Sequence, residues 1–373
     1  MTDREACIAL NTISGIGYIR FSAIGKMFDG VGNACGRSCR EYGAIPGISM
    51  TLAEKLAEQN WQQLCDRELE ETGSANVRII TLFDDDDPQV LFQLSNPPLC
   101  LYVRGMLPRF PEKSIAVVGS RRMSRYGETM TKRITSGAVY RGYTVVSGLA
   151  NGIDTVAHRT TLECGGITVA VLGGGLMHIH PQENLYLAQQ IVDSGGALIS
   201  EFPMNFPVSR TTFPRRNRIV ACLTQATAVI EAGVKSGAII TARLALECGR
   251  EVFAVPGQAT NEQAQGCHQL IREGAFLTET FEDIASRLEQ HYQPELVQET
   301  LFDAPSLYQK SEIPGLEPEL AELYALIPGT GISMEELAVK TGKSIADLSS
   351  MLMRLEFKFL INCGPDLLYR PER

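Results

Sequence analysis

The feature that most narrows the possible folds is a regular alternation through the middle of the chain. Six short runs, apolar on nearly every residue, take turns there with stretches of helical periodicity. The runs are SIAVVG (114–119), TVVSGLA (144–150), TVAVLGG (168–174), ALISEF (197–202), ATAVIEA (226–232) and EVFAVPG (251–257). Helical stretches lie near 125–141, 152–164, 183–194, 215–223, 238–249 and 267–273. A strand without a polar face is buried on both sides, as in a parallel sheet flanked by helices. Crossovers of this length give right-handed βαβ units. The pattern therefore predicts an α/β fold with a doubly wound, mostly parallel sheet.

The flanks differ in texture. A chain of 373 residues is long for one domain, and two or three are expected. Residues 1–76 read as short helices broken by glycine, with x-G-I turns in SGIGYIRFSAIGKMF and IPGISMTLAEKLAEQ. These turns resemble helix-hairpin-helix units, whose loop amides hold a phosphate at helix starts; for the whole segment a plain helical bundle with glycine turns is the preferred reading. Val77–Phe83 reads as a further strand, followed by the acidic turn Asp84–Asp87. The sheet domain then spans 77–287. Residues 288–316, with Pro294, Pro305 and Pro314 among polar residues, suit a linker. In 317–373, PELAELYALI, SMEELAVKTG and SIADLSSMLMRLEFKFLI read as helices before a hairpin turning at GPD, the order of a winged helix.

Composition excludes several classes. At 44% apolar and 21% charged the chain is globular. No apolar run approaches the roughly 20 residues of a membrane-crossing helix, and MTDREACIALN lacks the pattern of a secretory signal. A cytoplasmic protein with no membrane insertion is expected. Ten cysteines are too sparse for a disulfide scaffold. No zinc spacing follows Cys35 and Cys39, and His178 and His180, alternate residues of an extended segment, lack a third ligand. Neither metal nor cofactor is expected.

The net charge, 34 − 43 = −9, argues against general attraction to polyanions. Its distribution points the other way. From Lys113 to Arg141 there are seven basic residues and one acid, Glu128. Between Glu201 and Glu231 there is no acid, while Arg210, Arg215, Arg216 and Arg218 are present. Ligands of a doubly wound sheet gather beyond the carboxyl ends of its strands. Gly119-Ser120-Arg121, Gly148, Gly173-Gly174-Gly175 and Lys235-Ser236-Gly237 fall at those ends. Glycine allows close approach, and free amides at helix starts favour negative charge. With Arg121 and Lys235 the rim is expected to hold phosphate.

Enzyme signatures are thin. GSRRMSRYG does not supply the dinucleotide fingerprint G-x-G-x-x-G, and Gly342-Lys343-Ser344 only imitates the end of a Walker loop. Ser147-Gly148 lacks the G-x-S-x-G elbow. Asp154 and His158, four apart on one helix, fit either a base and its orienter or a helix-securing pair.

The ordered segments IAVVGSRRMSRYG (115–127), VVSGLANGIDTVAH (145–158), VAVLGGGLMHIHP (169–181), LISEFP (198–203), FPRRNRIVA (213–221) and VIEAGVKSGAIITARLALECGREVFAVPGQ (229–258) are similar to those of the DNA-processing protein A family, DprA or Smf. The resemblance implies a Rossmann-like core between a helical N-terminal domain and a C-terminal winged helix. It implies a non-enzymatic protein that binds single-stranded DNA, loads RecA on it beside single-strand binding protein during natural transformation, and works as a homodimer. The DNA pocket would use Gly119, Ser120, Arg121, Gly148, Phe213, Arg215, Arg216, Asn217, Arg218, Lys235, Ser236 and Gly237. Of these, Phe213 suits base stacking, and one or two of the arginines are expected to pair with Glu201 or Glu231 instead, because polar groups at buried strand ends must be satisfied. The family's S-x-G-x-N-x-L-I stretch appears here as Ala264-Gln265-Gly266-Cys267-His268-Gln269-Leu270-Ile271, without that serine and asparagine. The competing readings are a Rossmann-like nucleotide phosphoribohydrolase, whose P-G-G-x-G-T-x-x-E motif is missing here, and a nucleotide-sensing module.

Overall fold

A computed structural model describes residues 1–110, 112–291, 317, 320, 323–324, 326–327, 332–357, 360–363 and 369–371. The chain divides into two compact units, Met1–Pro294 and Glu295–Arg373.

The first unit is built on a nine-stranded sheet: β1 (Arg78–Thr81), β2 (Cys100–Gly105), β3 (Ser114–Val118), β4 (Thr144–Ser147), β5 (Thr168–Val171), β6 (Ala197–Ser200), β7 (Ala226–Val229), β8 (Glu251–Ala254) and β9 (Phe276–Leu277). Its order is β1-β2-β6-β5-β4-β3-β7-β8-β9. Strands β3 to β9 pair in parallel, while β2 runs antiparallel to β6 and β1 antiparallel to β2. The six apolar runs are thus the six central parallel strands. Strand β2 was not anticipated: its apolar run LCLYV follows a Pro-rich turn and stands outside the alternation of strands and helices.

Six helices follow the parallel strands: α6 (Arg125–Tyr140), α7 (Ile153–Glu163), α8 (Leu185–Asp193), α9 (Thr212–Leu223), α10 (Gly237–Glu247) and α11 (Gln265–Arg272); before them run α1 (Asp3–Thr12), α2 (Tyr18–Phe28), α3 (Cys39–Gly43), α4 (Met50–Glu58) and α5 (Trp61–Ser74), and α12 (Phe281–His291) comes after. Alternate strand residues enter opposite layers, as the pleat requires. Ala116 and Val118 pack in the layer of α9 and α10, whereas Ile115 and Val117 pack with Ile134 of α6 and Ile284 of α12. Ala170 and Leu198 join the layer that contains α8 and the N-terminal helices. The N-terminal helices therefore share a hydrophobic core with the sheet.

The two glycine turns of the N-terminal region lie together, because Arg20 donates to the carbonyl oxygens of both Gly15 and Gly47. The Tyr18 amide that opens α2 donates to Asn96 Oδ1 at 3.0 Å, so this helix start is capped from within the protein.

The second unit contains α13 (Met334–Thr341), α14 (Ile345–Phe357) and the antiparallel pair β10 (Ile361–Cys363) and β11 (Tyr369–Pro371). Leu337, Leu348, Leu352 and Leu355 form its core with Ile361. Gly342 ends α13 in the left-handed conformation, and Ser344 accepts from the Asp347 amide; the Walker-like triplet is a turn between helices. Half of the expected helix at 318–327, most of the 288–316 linker and the GPD turn lie outside the described residues.

Candidate nucleic-acid interface

The sheet changes direction at β3: the chain builds β4, β5 and β6 on one side and then returns to place β7 and β8 on the other. Such a switch point leaves a crevice beyond the carboxyl ends of the central strands. A cleft of about 530 Å³ lies there. The β3–α6 turn is fixed across its floor, with the Ser120 amide donating to Glu231 O at 2.7 Å. Glu231 does not pair with an arginine. Its carboxylate accepts from the Ser124 amide and hydroxyl, each at 2.7 Å, and from Asn261 Nδ2 at 3.3 Å. It is a tie between loops.

Ten of the twelve anticipated residues line this cleft: Gly119, Ser120, Arg121, Gly148, Phe213, Arg216, Asn217, Lys235, Ser236 and Gly237. Helix α10 begins at its wall, with Ser236 as the cap accepting from the Ala238 amide at 3.3 Å. Asn217 Nδ2 donates to Gly237 O at 3.3 Å and so links α9 to that helix start. Arg121 and Lys235 are exposed, and Arg122 and Arg210 join them in the lining. These last two stand in the acid-poor segments, a signal visible in the sequence. Gln263, on the loop after β8, carried no such signal.

Arg215 and Arg218 do not line the cleft. Both turn to Glu201, a buried carboxylate at the end of β6. Arg218 also donates to Asn96 O at 2.7 Å, and the Arg215 guanidinium lies 4.6 Å from the centre of the Phe202 ring. Helical spacing explains the division: 213, 214, 216, 217 and 220 line the cleft, while 215 and 218 share another face.

Arg216 is only 4% exposed, so it forms the cleft's floor and not its rim. Its Nη1 donates to Val171 O, and its Nε has no hydrogen-bond partner among the described residues. Burial pulls this guanidinium down to about 10, against an upward push from Asp154. It therefore stays charged at neutral pH. A Cβ on Gly148 would come within 1.7 Å of Arg216 Nη1. Glycine here makes room for arginine, and at Gly119 the same space is filled by Ile153 and Glu231 O. Close approach by a ligand is not what these two glycines provide.

Asp154 and His158 do not form a base and its orienter. Asp154 accepts from the amides of Gly148 and Ala150 at 3.1 and 3.3 Å, holding the turn in which Leu149 takes a left-handed φ of 59°. Burial pushes its carboxyl up, and Arg216 opposes this. His158 is fully buried, with Nδ1 2.7 Å from Thr168 Oγ1. Burial, reinforced by Arg216, pulls its imidazole down to about 3, so it is neutral. His178 and His180 lie in the loop after β5 and not on the strand. Among the described residues no cluster of His, Cys, Asp and Glu suited to a metal ion is found. No described helix is long and apolar enough to cross a membrane. His268, where the family pattern has asparagine, places Nε2 3.0 Å from Gly257 O and secures the loop after β8.

Phe213 is half-buried beside Gly173, and the Arg121 guanidinium stands 4.6 Å from its ring centre. A second cavity of about 50 Å³ opens behind this stack, towards His178 and His180.

Comparison with known proteins agrees with the fold. Residues 78–289 match the model of the family described as DNA recombination-mediator protein A. Protein Smf of Escherichia coli is 38% identical over 280 residues, covering 74% of this chain and 73% of that protein. Protein Smf of Synechocystis is 31% identical over 97% of each. The X-ray structure of DNA processing protein A from Streptococcus pneumoniae superposes with a TM-score of 0.65 at 30% identity, covering 77% of this chain and 98% of that one. DNA processing protein A from Helicobacter pylori, described for its single-stranded DNA binding mode, gives 0.50 at 26% identity, over 58% of this chain and 97% of its own. The nine-stranded core, the cationic cleft at its switch point and these relatives together make the chain a member of the DNA recombination-mediator protein A family.

Proposed function

We propose that the cleft at the switch point holds the backbone of single-stranded DNA, and that the protein presents that strand for recombination. The observation that carries this reading is the convergence of Arg121, Arg122, Arg210 and Lys235 on a cleft that also receives the start of α10. Separate side chains and a helix start suit successive phosphates of a flexible strand. The resident acid, Asp154, is bound to two amides and faces Arg216, so it does not cancel the rim. An acidic protein can bind nucleic acid when its cations are gathered locally.

Within this reading the protein loads RecA on the strand, works beside single-strand binding protein, acts as a homodimer and resides in the cytoplasm. The 317–373 region acts as a winged helix that binds protein or caps the chain, since α14 carries Asp347 in its first turn and Arg354 in its last. Residues 1–76 serve as a structural domain, in keeping with the occupied start of α2 and the shared core. The hydrolase alternative is not favoured: Glu231, the glutamate at the end of β7, is engaged by Ser124 and Asn261.

Fluorescence anisotropy with labelled oligothymidylate and a duplex of equal length tests the reading. The single strand is expected to bind more tightly, with a slope of log affinity against log salt of about −0.7 for each phosphate neutralised. Equal or stronger duplex binding, or a slope near zero, overturns it.

A further inference from the structure

We infer that Cys222 and Cys248 form an oxidisable pair, which a peroxide closes into a disulfide at the foot of α9 and α10 while the cleft at their heads stays open. The site lies at the opposite end of these helices and does not depend on what the cleft binds.

Helices α9 and α10 both start at the cleft and run down to the amino ends of the next strands. Cys222 stands in the last turn of α9, just before β7, and Cys248 caps α10, just before β8. The first residues of those strands, Ala226 and Glu251, face each other in register. The pairing of β7 with β8 therefore brings the two helix ends, and with them the two thiols, together in one apolar layer. Cys222 is fully buried and donates from Sγ to Val90 O at 3.1 Å. Cys248 is only half-buried, so solvent reaches it. Arg250, whose Nη2 donates to Gln93 Oε1 at 2.8 Å, stands beside Cys222.

Burial pushes the Cys222 thiol up to about 12, Cys248 adds to the push and Arg250 opposes it. Cys222 thus keeps its proton, and Cys248 is the sulfur that meets an oxidant first. With hydrogen peroxide as that oxidant, the Cys248 thiolate attacks one oxygen, the O–O bond breaks and hydroxide leaves, giving a sulfenic acid. The Cys222 sulfur then displaces hydroxide from Cys248, the S–S bond forms, and the Cys222 proton leaves with that hydroxide as water. Two thiols and one peroxide become one disulfide and two waters. Cys7 and Cys100 offer the contrast: their sulfurs lie 4.0 Å apart, but at 0% and 1% exposure they give peroxide no entry. At about 1.5 Å per residue, the path along each helix from cleft to cysteine is roughly 15 Å, which keeps the bridge away from the strand.

The test treats the full chain with a small excess of hydrogen peroxide, blocks the remaining thiols and maps linked peptides by mass. A link between Cys222 and Cys248 is expected, with the loss of two hydrogens and a melting temperature raised by about 5 °C, because the bridge restricts the unfolded chain. Dithiothreitol should reverse both changes. Oligothymidylate affinity of the oxidised chain should stay within about twofold of the reduced one. Cys222→Ser should leave Cys248 as a sulfenic acid, trapped by dimedone, with no rise in melting temperature. The peptide map is read on the unaltered protein, so it decides even where that variant folds poorly. Recovery of Cys248 as a sulfinic acid without a link, or a Cys7–Cys100 link in place of the expected one, overturns the pair. A Cys222–Cys248 link that weakens strand binding more than about twofold overturns the separation of bridge and cleft.

Discussion

The cations between residues 210 and 218 go to two places that look alike in the sequence and differ in physics. Arg210 joins Arg121, Arg122 and Lys235 around the cleft, where the nearby carboxylates, Asp154 and Glu231, are bound to backbone amides. Arg215 and Arg218 meet the buried carboxylate of Glu201. The first group is left with unspent charge; the second is neutralised where it stands. A local count of basic residues therefore overstates a binding field, and what decides is whether a strand-end acid is already satisfied by backbone donors.

The sharpest way to test this division is at Arg218, whose side chain is 12% exposed against a Glu201 that is 5% exposed. Removing one partner of a buried pair leaves an uncompensated charge and costs about 3–5 kcal/mol. Arg218→Ala is expected near the lower end, about 3 kcal/mol in chemical denaturation, because Arg215 remains within 3.5 Å of Glu201. Oligothymidylate affinity of the folded variant should stay within about twofold. A variant of unchanged stability but greatly reduced affinity would move Arg218 into the binding group.

Beneath the cleft, His158 sharpens the comparison through pH. Its folded-state pKa, pulled down to about 3 by burial and then by Arg216, lies below the unfolded value of 6.5. Between those values the unfolded chain binds the proton and the folded one does not, so stability rises with pH through the window and is lost towards acid. At pH 5 the loss from this group is about 2 kcal/mol relative to pH 7, since each unit is worth about 1.4 kcal/mol. His158→Gln, compared with the unaltered chain in urea at both pH values, should flatten the difference by about that amount. An unchanged difference would mean that His158 takes up its proton in place.

Much of this architecture was legible because burial writes itself into composition. The six central strands lack a polar face, and each coincides with an apolar run. The antiparallel β2 has a comparable apolar run, LCLYV, but it stands outside the alternation, and its pairing with β6 comes from a return of the chain that no local pattern encodes. At the site, glycines at strand ends marked the switch point correctly, but for a partly mistaken reason: Gly148 accommodates Arg216. The four arginines of 210–218 could be recognised as a group, and the pairing of one or two with a strand-end glutamate was foreseeable from the need to satisfy buried polar groups. Which glutamate, and which arginines, depended on the register of α9 against the sheet. That register is set by packing of Ile219, Val220 and Leu223, residues whose apolar character is plain but whose facing is not.

The smallest expected effect is also the one most able to break the comparison. Arg215 is about half exposed, lies 3.5 Å from Glu201 and rests over Phe202, while Lys235 is exposed on the cleft itself. Because Arg215 is half exposed and Arg218 still meets Glu201 in its absence, Arg215→Ala should change stability by less than about 1 kcal/mol. Because its charge is already met by Glu201, strand affinity should also change by less than about twofold. Lys235→Ala, with no ion-paired acid among the described residues, should lose about tenfold and lower the salt slope by about 0.7, with the melting temperature unmoved. The two positions differ in place and in the presence of a carboxylate partner: Lys235 lines the cleft, and Arg215 meets Glu201. Were Arg215→Ala to match Lys235→Ala in affinity and in slope, Glu201 would have to release that arginine when the strand arrives, and the two groups of cations would form a single surface.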